Sequence, residues 1–102
     1  MKNYRLTKDA ERDLREVARY TLKQWGKAMF QGYRGGLKKT FEDIGKNNTI
    51  SRQFSDDFPE LLVTKYKYHF IFYLAESMEK PVIIGVIHER RDIVKRLTER
   101  LT

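Results

Sequence analysis

The segment Val82-Ile83-Ile84-Gly85-Val86-Ile87 is followed directly by His88-Glu89-Arg90-Arg91-Asp92. A short run of β-branched apolar residues, bounded by polar ones, is typical of a buried strand. This strand therefore delivers a histidine, two carboxylates and two guanidinium groups to one edge of the fold. Such a cluster is suited to cleaving RNA, and it is equally suited to docking a partner without any chemistry.

Two further strand-like runs precede this one, Leu61–Thr64 and Tyr68–Leu74. Their aromatic and β-branched content and their short connections predict an antiparallel meander, with 75–81 as the loop before the last strand. Nearly every position of Tyr68–Leu74 is apolar, so we expect a central strand covered on at least one face. The residues before Leu61, which include Asp56, Asp57 and Pro59, are expected to form a polar loop. A short first strand is expected around Tyr4–Leu6.

In the first half of the chain, apolar residues recur with the period of an α-helix. Thr7 is a suitable N-cap, and apolar residues then recur every three or four positions as far as Trp25. Gly26 is expected to end this helix or form a tight turn, and a second helix should run from Lys27 to Gly45. Each helix is apolar on one side only, which favours an antiparallel hairpin packed on a sheet. The two stripes are Ala10, Leu14, Val17, Ala18, Thr21 and Trp25, then Phe30, Tyr33, Leu37, Phe41 and Ile44.

The segment 93–101 is amphipathic and is expected to form a short helix or an extended arm, with Asp92 as a possible cap. The predicted fold is therefore α+β, in one domain over residues 1–102: an N-terminal strand, an antiparallel two-helix hairpin, and a small twisted, mainly antiparallel sheet. Gly32, Gly35 and Gly36 lie inside the second helix, where each costs about 1 kcal/mol relative to alanine. They indicate either close approach to the first helix or a kink.

Composition narrows the class of protein. The chain has 102 residues, of which 40% are hydrophobic and none is cysteine, and its net charge is +7. The absence of cysteine fits a reducing compartment, and the sequence shows neither a secretory signal nor a membrane span, so we expect a cytoplasmic protein. The charge favours an acidic partner such as nucleic acid, the ribosome or an acidic protein segment. The alternative is an ordinary basic surface.

Metal and cofactor chemistry is not indicated. His69 and His88 lie on different strands, without carboxylates at ligand spacing. Ribonuclease activity is the enzymatic hypothesis, since it needs cations to stabilise a phosphorane and groups that exchange protons. The cations would be Lys65, Lys67, Arg90 and Arg91, and the proton carriers His88 or Glu89. The structural alternative is a solvated strand end.

Five motifs together resemble the ParE branch of the RelE/ParE toxin superfamily, over about Tyr4 to Asp92. They are Ala10-Glu11-Arg12-Asp13-Leu14, Arg19-Tyr20-Thr21, Gln24-Trp25-Gly26, His69-Phe70-Ile71-Phe72-Tyr73 and Ile87-His88-Glu89-Arg90-Arg91-Asp92.

This resemblance implies the toxin of a type II toxin–antitoxin pair, neutralised by a small cognate antitoxin. ParE-like toxins poison DNA gyrase, whereas RelE-like toxins of similar fold cleave mRNA on the ribosome, using several Lys and Arg residues with a Tyr or His near the C-terminus. No Tyr or His follows His88 in this chain. We therefore expect the gyrase-directed, non-enzymatic branch, acting on the A subunit, with no catalytic residues. The ribosome-dependent mRNA endonuclease is the alternative, and a related binding module without toxicity is a third.

Two sets of residues are the predicted contacts. An acidic antitoxin would match the positive charge and add a helix or a strand to the groove or edge of the fold. Aromatic residues concentrate binding energy at interfaces, although all four chosen here can also be core, and Trp25 is expected there. The antitoxin candidates are Tyr20, Trp25, Phe30 and Tyr33. The candidates for target binding are His88, Arg90, Arg91, Lys95 and Arg96.

Overall fold

The computed structural model describes residues 3–75 and 80–101, so part of the predicted loop 75–81 lies outside the described residues. Its five strands form one sheet in the order β1-β5-β4-β3-β2. β1 runs parallel to β5, and every other pairing is antiparallel. The α+β prediction is confirmed. The elements are β1 (Arg5–Leu6), α1 (Lys8–Gly45), β2 (Arg52–Ser55), β3 (Phe58–Tyr66), β4 (His69–Leu74), β5 (Val82–His88) and α2 (Ile93–Leu101).

Helix α1 is a hairpin rather than one rod. A straight helix of 38 residues would be about 57 Å long, but the longest dimension of the molecule is 39 Å. The break is at Gly26, whose φ of 87° and ψ of 177° are readily adopted by glycine alone. Residues 8–25 form the first arm and residues 27–45 the second. The second arm returns to the start of the chain, where the ring of Phe41 lies 5.6 Å from that of Tyr4.

The sheet has an apolar core on each face. Successive residues of a strand point to opposite faces, so Ile71 of β4 packs with α1 while its neighbour Phe72 packs with α2. The prediction of a central, covered β4 is confirmed. The α1 face contains Ala10, Val17, Leu37, Phe41, Ile44, Ile71, Tyr73, Ile83 and Val86. The α2 face contains Leu61, Val63, Phe72, Ile84, Ile87 and Leu97.

Both helix starts follow the predicted capping. The hydroxyl of Thr7 accepts a hydrogen bond of 3.1 Å from the amide of Ala10. Asp92 likewise accepts one of 3.1 Å from the amide of Lys95, and the tail is a helix rather than an extended arm.

Three expectations were wrong. Arg52–Ser55 pairs with β3 as an edge strand, and Pro59 lies inside β3, where a polar loop had been expected. Trp25 is 64% exposed rather than core, because residues 22–29 form the tip of the hairpin and are all exposed. Gly36 gives a close approach to Tyr66 of β3 and not to the first arm, while Gly35 faces open space.

Candidate functional site

The cluster at the end of β5 begins with two histidines whose rings meet edge to face. His88 lies opposite His69 in the β4–β5 register, and their rings cross at 87° with centroids 5.1 Å apart. His69 is buried, and its Nδ1 is 2.5 Å from the hydroxyl of Tyr33 on the second arm. The second arm of the hairpin is therefore joined to the sheet by this bond, which the sequence did not predict.

Burial determines the protonation states of His69 and Tyr33 at neutral pH. Burial, and to a smaller extent the neighbouring His88, lowers the pKa of His69 to about 4. Burial also raises the pKa of Tyr33 to about 12. Both groups are therefore neutral at neutral pH, and the Tyr33 hydroxyl and Nδ1 of His69 share one hydrogen bond. This bond is structural, because neither group exchanges its proton near pH 7.

Glu89 and His88, the two predicted proton carriers, both accept hydrogen bonds from other groups of the protein. Nζ of Lys65 donates to Glu89 at 2.6 Å, and this hydrogen bond lowers the pKa of the Glu89 carboxyl. His88 Nδ1 accepts from the backbone amide of Arg90 at 3.1 Å, so neutral His88 carries its proton on Nε2. Lys67 occupies the β3–β4 turn, where its φ is 51°. The cations predicted for a ribonuclease thus share one end of the sheet, but Glu89 and Nδ1 of His88 are occupied.

A cavity of about 210 Å³ opens between the first arm and the end of β5. His88, Arg91 and Arg96 line it, so the fold brings together three of the five target candidates. Lys95 instead lines a neighbouring charged cavity of about 580 Å³ beside α2, and Arg90 is exposed and lines neither.

The antitoxin candidates are distributed over three places. Phe30 and Tyr33 line an apolar cavity of about 340 Å³ between the two arms, which Arg34 and Lys38 also line. Tyr20 is 56% exposed and lines the cavity at the end of β5 instead. Trp25, at the hairpin tip, lines none of these three cavities.

Sequence reasoning missed a buried ion pair between the first arm and α2. Asp13 is 3% exposed, and its carboxylate accepts two hydrogen bonds from Arg100, at 2.7 and 2.8 Å. These bonds raise the pKa of Arg100. The sequence does contain one signal of this pair, because Asp13 is an acidic residue within the apolar stripe of the first arm, between Ala10 and Val17.

The same pair covers the backbone of β5. Strand β1 ends opposite Ile83, and no other strand lies beside the rest of that edge within residues 3–75 and 80–101. Arg100 donates to the carbonyl of Ile84 at 3.1 Å, and the amide of Val86 donates to Asp13 at 2.9 Å. Two side chains therefore satisfy backbone groups that a neighbouring strand would otherwise bind.

Residues 4–93 match the family described as "ParE toxin of type II toxin-antitoxin system, parDE". The chain belongs to the ParE toxin family. It is also 33% identical over 101 residues to Toxin ParE of Escherichia coli, with 99% of this chain and 98% of that protein covered. As a ParE toxin of a type II system it has an antitoxin partner. The family match includes Asp13 and ends at the first residue of α2, before Arg100.

One further property of this ParE toxin concerns membranes. Among residues 3–75 and 80–101, no helix combines the length and the apolar character that crossing a bilayer requires.

Proposed function

We propose that this ParE toxin inhibits DNA gyrase through its A subunit in the cytoplasm, stabilises cleaved DNA complexes, and is neutralised by a cognate acidic antitoxin. The observation that carries the proposal is the state of the cluster at the end of β5. Its cations Arg91 and Arg96 line an open cavity, while Glu89 is bound to Lys65. Such a cluster is better suited to docking than to proton transfer.

The alternative is a ribosome-dependent mRNA endonuclease. It would need a base within reach of a 2′-hydroxyl and an acid for the leaving oxygen. Glu89, with its pKa lowered by Lys65, is a poor acid, and Nδ1 of His88 accepts a backbone amide. Both observations favour the non-enzymatic proposal over this alternative.

The cavity between the two arms is the proposed antitoxin site. Phe30 and Tyr33 give it an apolar wall, and Arg34 and Lys38 supply positive charge beside that wall. An amphipathic helix with an apolar stripe and acidic flanks is the partner that this combination suits.

A gyrase assay tests the first part of the proposal. Purified toxin should block supercoiling and accumulate cleaved DNA. The double variant Arg91→Ala/Arg96→Ala should lose this effect, whereas Arg52→Ala, which removes an exposed cation from the far edge of the sheet, should retain it. Supercoiling that is unaffected by a large excess of toxin would count against gyrase as the target. New mRNA ends in translated codons after induction would favour the endonuclease.

Co-expression with the antitoxin tests the second part. Phe30→Ser should stay toxic but escape neutralisation, because it removes an apolar contact from the cavity between the arms. Met29→Ser is the matched control, since Met29 is 59% exposed and outside that cavity, and its toxicity should still be neutralised. Equal rescue of the two variants would place the antitoxin elsewhere.

A further inference from the structure

The middle of the hairpin, residues 17–41, carries positive charge that no acidic residue of the same segment offsets. Between Glu16 and Glu42 the sequence carries six cationic residues and no acidic one, although the whole chain has 14 acids. All six side chains are exposed. In the part of the chain that the structure describes, none of them forms an ion pair. The six are Arg19, Lys23, Lys27, Arg34, Lys38 and Lys39.

Four of these cations form two pairs with different surroundings. Arg34 and Lys38 line the apolar cavity between the arms. Lys23 and Lys27 instead lie at the hairpin tip, on either side of Trp25, which is 64% exposed. The turn at Gly26 separates them, and nothing lies within 4 Å of the position that a Cβ would occupy there. The tip is therefore an open, basic surface with an indole at its centre.

The open shape of the tip favours nucleic acid over an acidic protein helix as its partner. A protein helix needs a groove for its apolar face, and residues 22–29 line none of the cavities of about 210, 580 and 340 Å³ given above. Nucleic acid needs no groove, because phosphates pair with exposed cations and an unpaired base stacks on an exposed aromatic ring.

We propose that the hairpin tip binds nucleic acid, with Lys23 and Lys27, and the nearby Arg19, contacting phosphates while Trp25 stacks on an exposed base. Single strands and strand ends should be preferred over an intact duplex, whose bases are already stacked on one another. This inference goes beyond the proposed function, since it concerns direct binding in the absence of gyrase, and either one can fail while the other holds.

Trp25 is the sole tryptophan of the chain, so its fluorescence reports on the tip directly. Single-stranded DNA of about 20 nucleotides should quench it, and a blunt duplex of the same length should quench it less. With about three phosphates neutralised on a single strand, the logarithm of the binding constant should fall with the logarithm of salt concentration at a slope of about −2. Absence of quenching at low salt would overturn the proposal.

Two double variants distinguish binding at the tip from a general effect of net charge. Lys23→Glu/Lys27→Glu and Arg52→Glu/Lys80→Glu each lower the net charge from +7 by four, but only the first changes the tip. Binding of a fluorescein-labelled strand, followed by anisotropy, should weaken about tenfold or more in the first and by less than about threefold in the second. Equal losses would mean that charge acts without a site, and would overturn the proposal.

Two further measurements test the nature of the ligand. Trp25→Ala should weaken binding of the labelled strand by at least about fivefold, because losing one stacked base costs about 1–3 kcal/mol; unchanged binding would remove the stacking contact. Polyglutamate should quench Trp25 less than DNA does at equal charge concentration. Equal quenching would assign the tip to an acidic protein segment instead. Since all the altered side chains are exposed, each variant should keep the thermal unfolding of the parent protein.

Discussion

Arg100 donates two hydrogen bonds to the carboxylate of Asp13, at 2.7 and 2.8 Å, across 87 positions of the sequence. Asp13 belongs to the helical layer on one face of the sheet, and Arg100 belongs to the helix on the other face. The bond passes over the uncovered edge of β5, where both side chains also bind its backbone. The first arm, the sheet and α2 are thus joined at one point.

Asp13→Asn should lower the free energy of unfolding by about 2–4 kcal/mol, because it leaves a largely buried guanidinium without its counter-charge. Urea unfolding followed by circular dichroism measures this. Asp9→Asn is the control: Asp9 is 4.0 Å from Arg100 and its side chain is 41% exposed, so the loss should be below about 1 kcal/mol. Similar losses in the two variants would contradict a special role for Asp13.

Gly36→Ala should destabilise the protein by about 1–3 kcal/mol, because its Cβ would overlap the side chain of Tyr66 and an overpacked site must shift its neighbours. The adjacent Gly35 has open space around it. Gly35→Ala should therefore stabilise the helix by up to about 1 kcal/mol. Thermal unfolding of both variants beside the parent protein measures the difference, and a gain in both would disprove the contact with Tyr66.

His69 should make the fold sensitive to acid. Its pKa is about 4 in the folded protein, against 6.5 as the ordinary value. Above pH 6.5 the ring is neutral in both states, so the stability contribution is fully present. As the pH falls from 6.5 towards 4, the unfolded chain takes up a proton that the folded protein does not, and roughly 3 kcal/mol of stability is lost.

Urea unfolding at pH 7 and pH 4.5 tests this dependence. His69→Gln removes the titrating ring, so its stability should fall less than that of the parent protein between the two values. Because pH 4.5 is above the folded pKa of about 4, the difference should be roughly 2.5 kcal/mol, most of the loss given above. An equal fall in both proteins would assign the acid sensitivity to other groups.

The Lys65–Glu89 ion pair distinguishes the two toxin mechanisms. The double variant Lys65→Ala/Glu89→Ala should still arrest growth when induced without antitoxin, because a gyrase-directed toxin does not need these groups for chemistry. Colony counts after induction measure this, with the protein level checked by immunoblot. Complete loss of toxicity in a folded variant would favour the endonuclease.

The sequence predicted the elements that have a clear period or a capping residue. The two arms, the turn at Gly26, and strands β4 and β5 all follow from apolar spacing and glycine. β2 was missed because Arg52–Ser55 is largely polar, as an edge strand can be when only its pairing with β3 holds it in place. Trp25 has the right spacing for the core, but spacing does not show where an arm extends past the sheet.

The candidate site was predicted less completely than the fold. The family motifs and the basic tail gave His88, Arg91 and Arg96 as candidates for target binding, and these three residues line one cavity. Asp13 and Arg100 were assigned no role, because their pairing depends on how α2 crosses the edge of β5, and no local pattern contains that information. The same holds for Tyr33 and His69, whose contact joins residues on different layers.

The separation of Asp13 and Arg100 along the chain has a kinetic consequence. Their pairing closes a loop of almost the whole sequence, so its entropic cost is met only after the sheet has brought both ends together. A contact that forms after the transition state for folding affects the rate of unfolding more than the rate of folding. We therefore expect Asp13→Asn to shorten the lifetime of the native state, seen as a raised unfolding limb in stopped-flow experiments, while the refolding limb stays nearly unchanged.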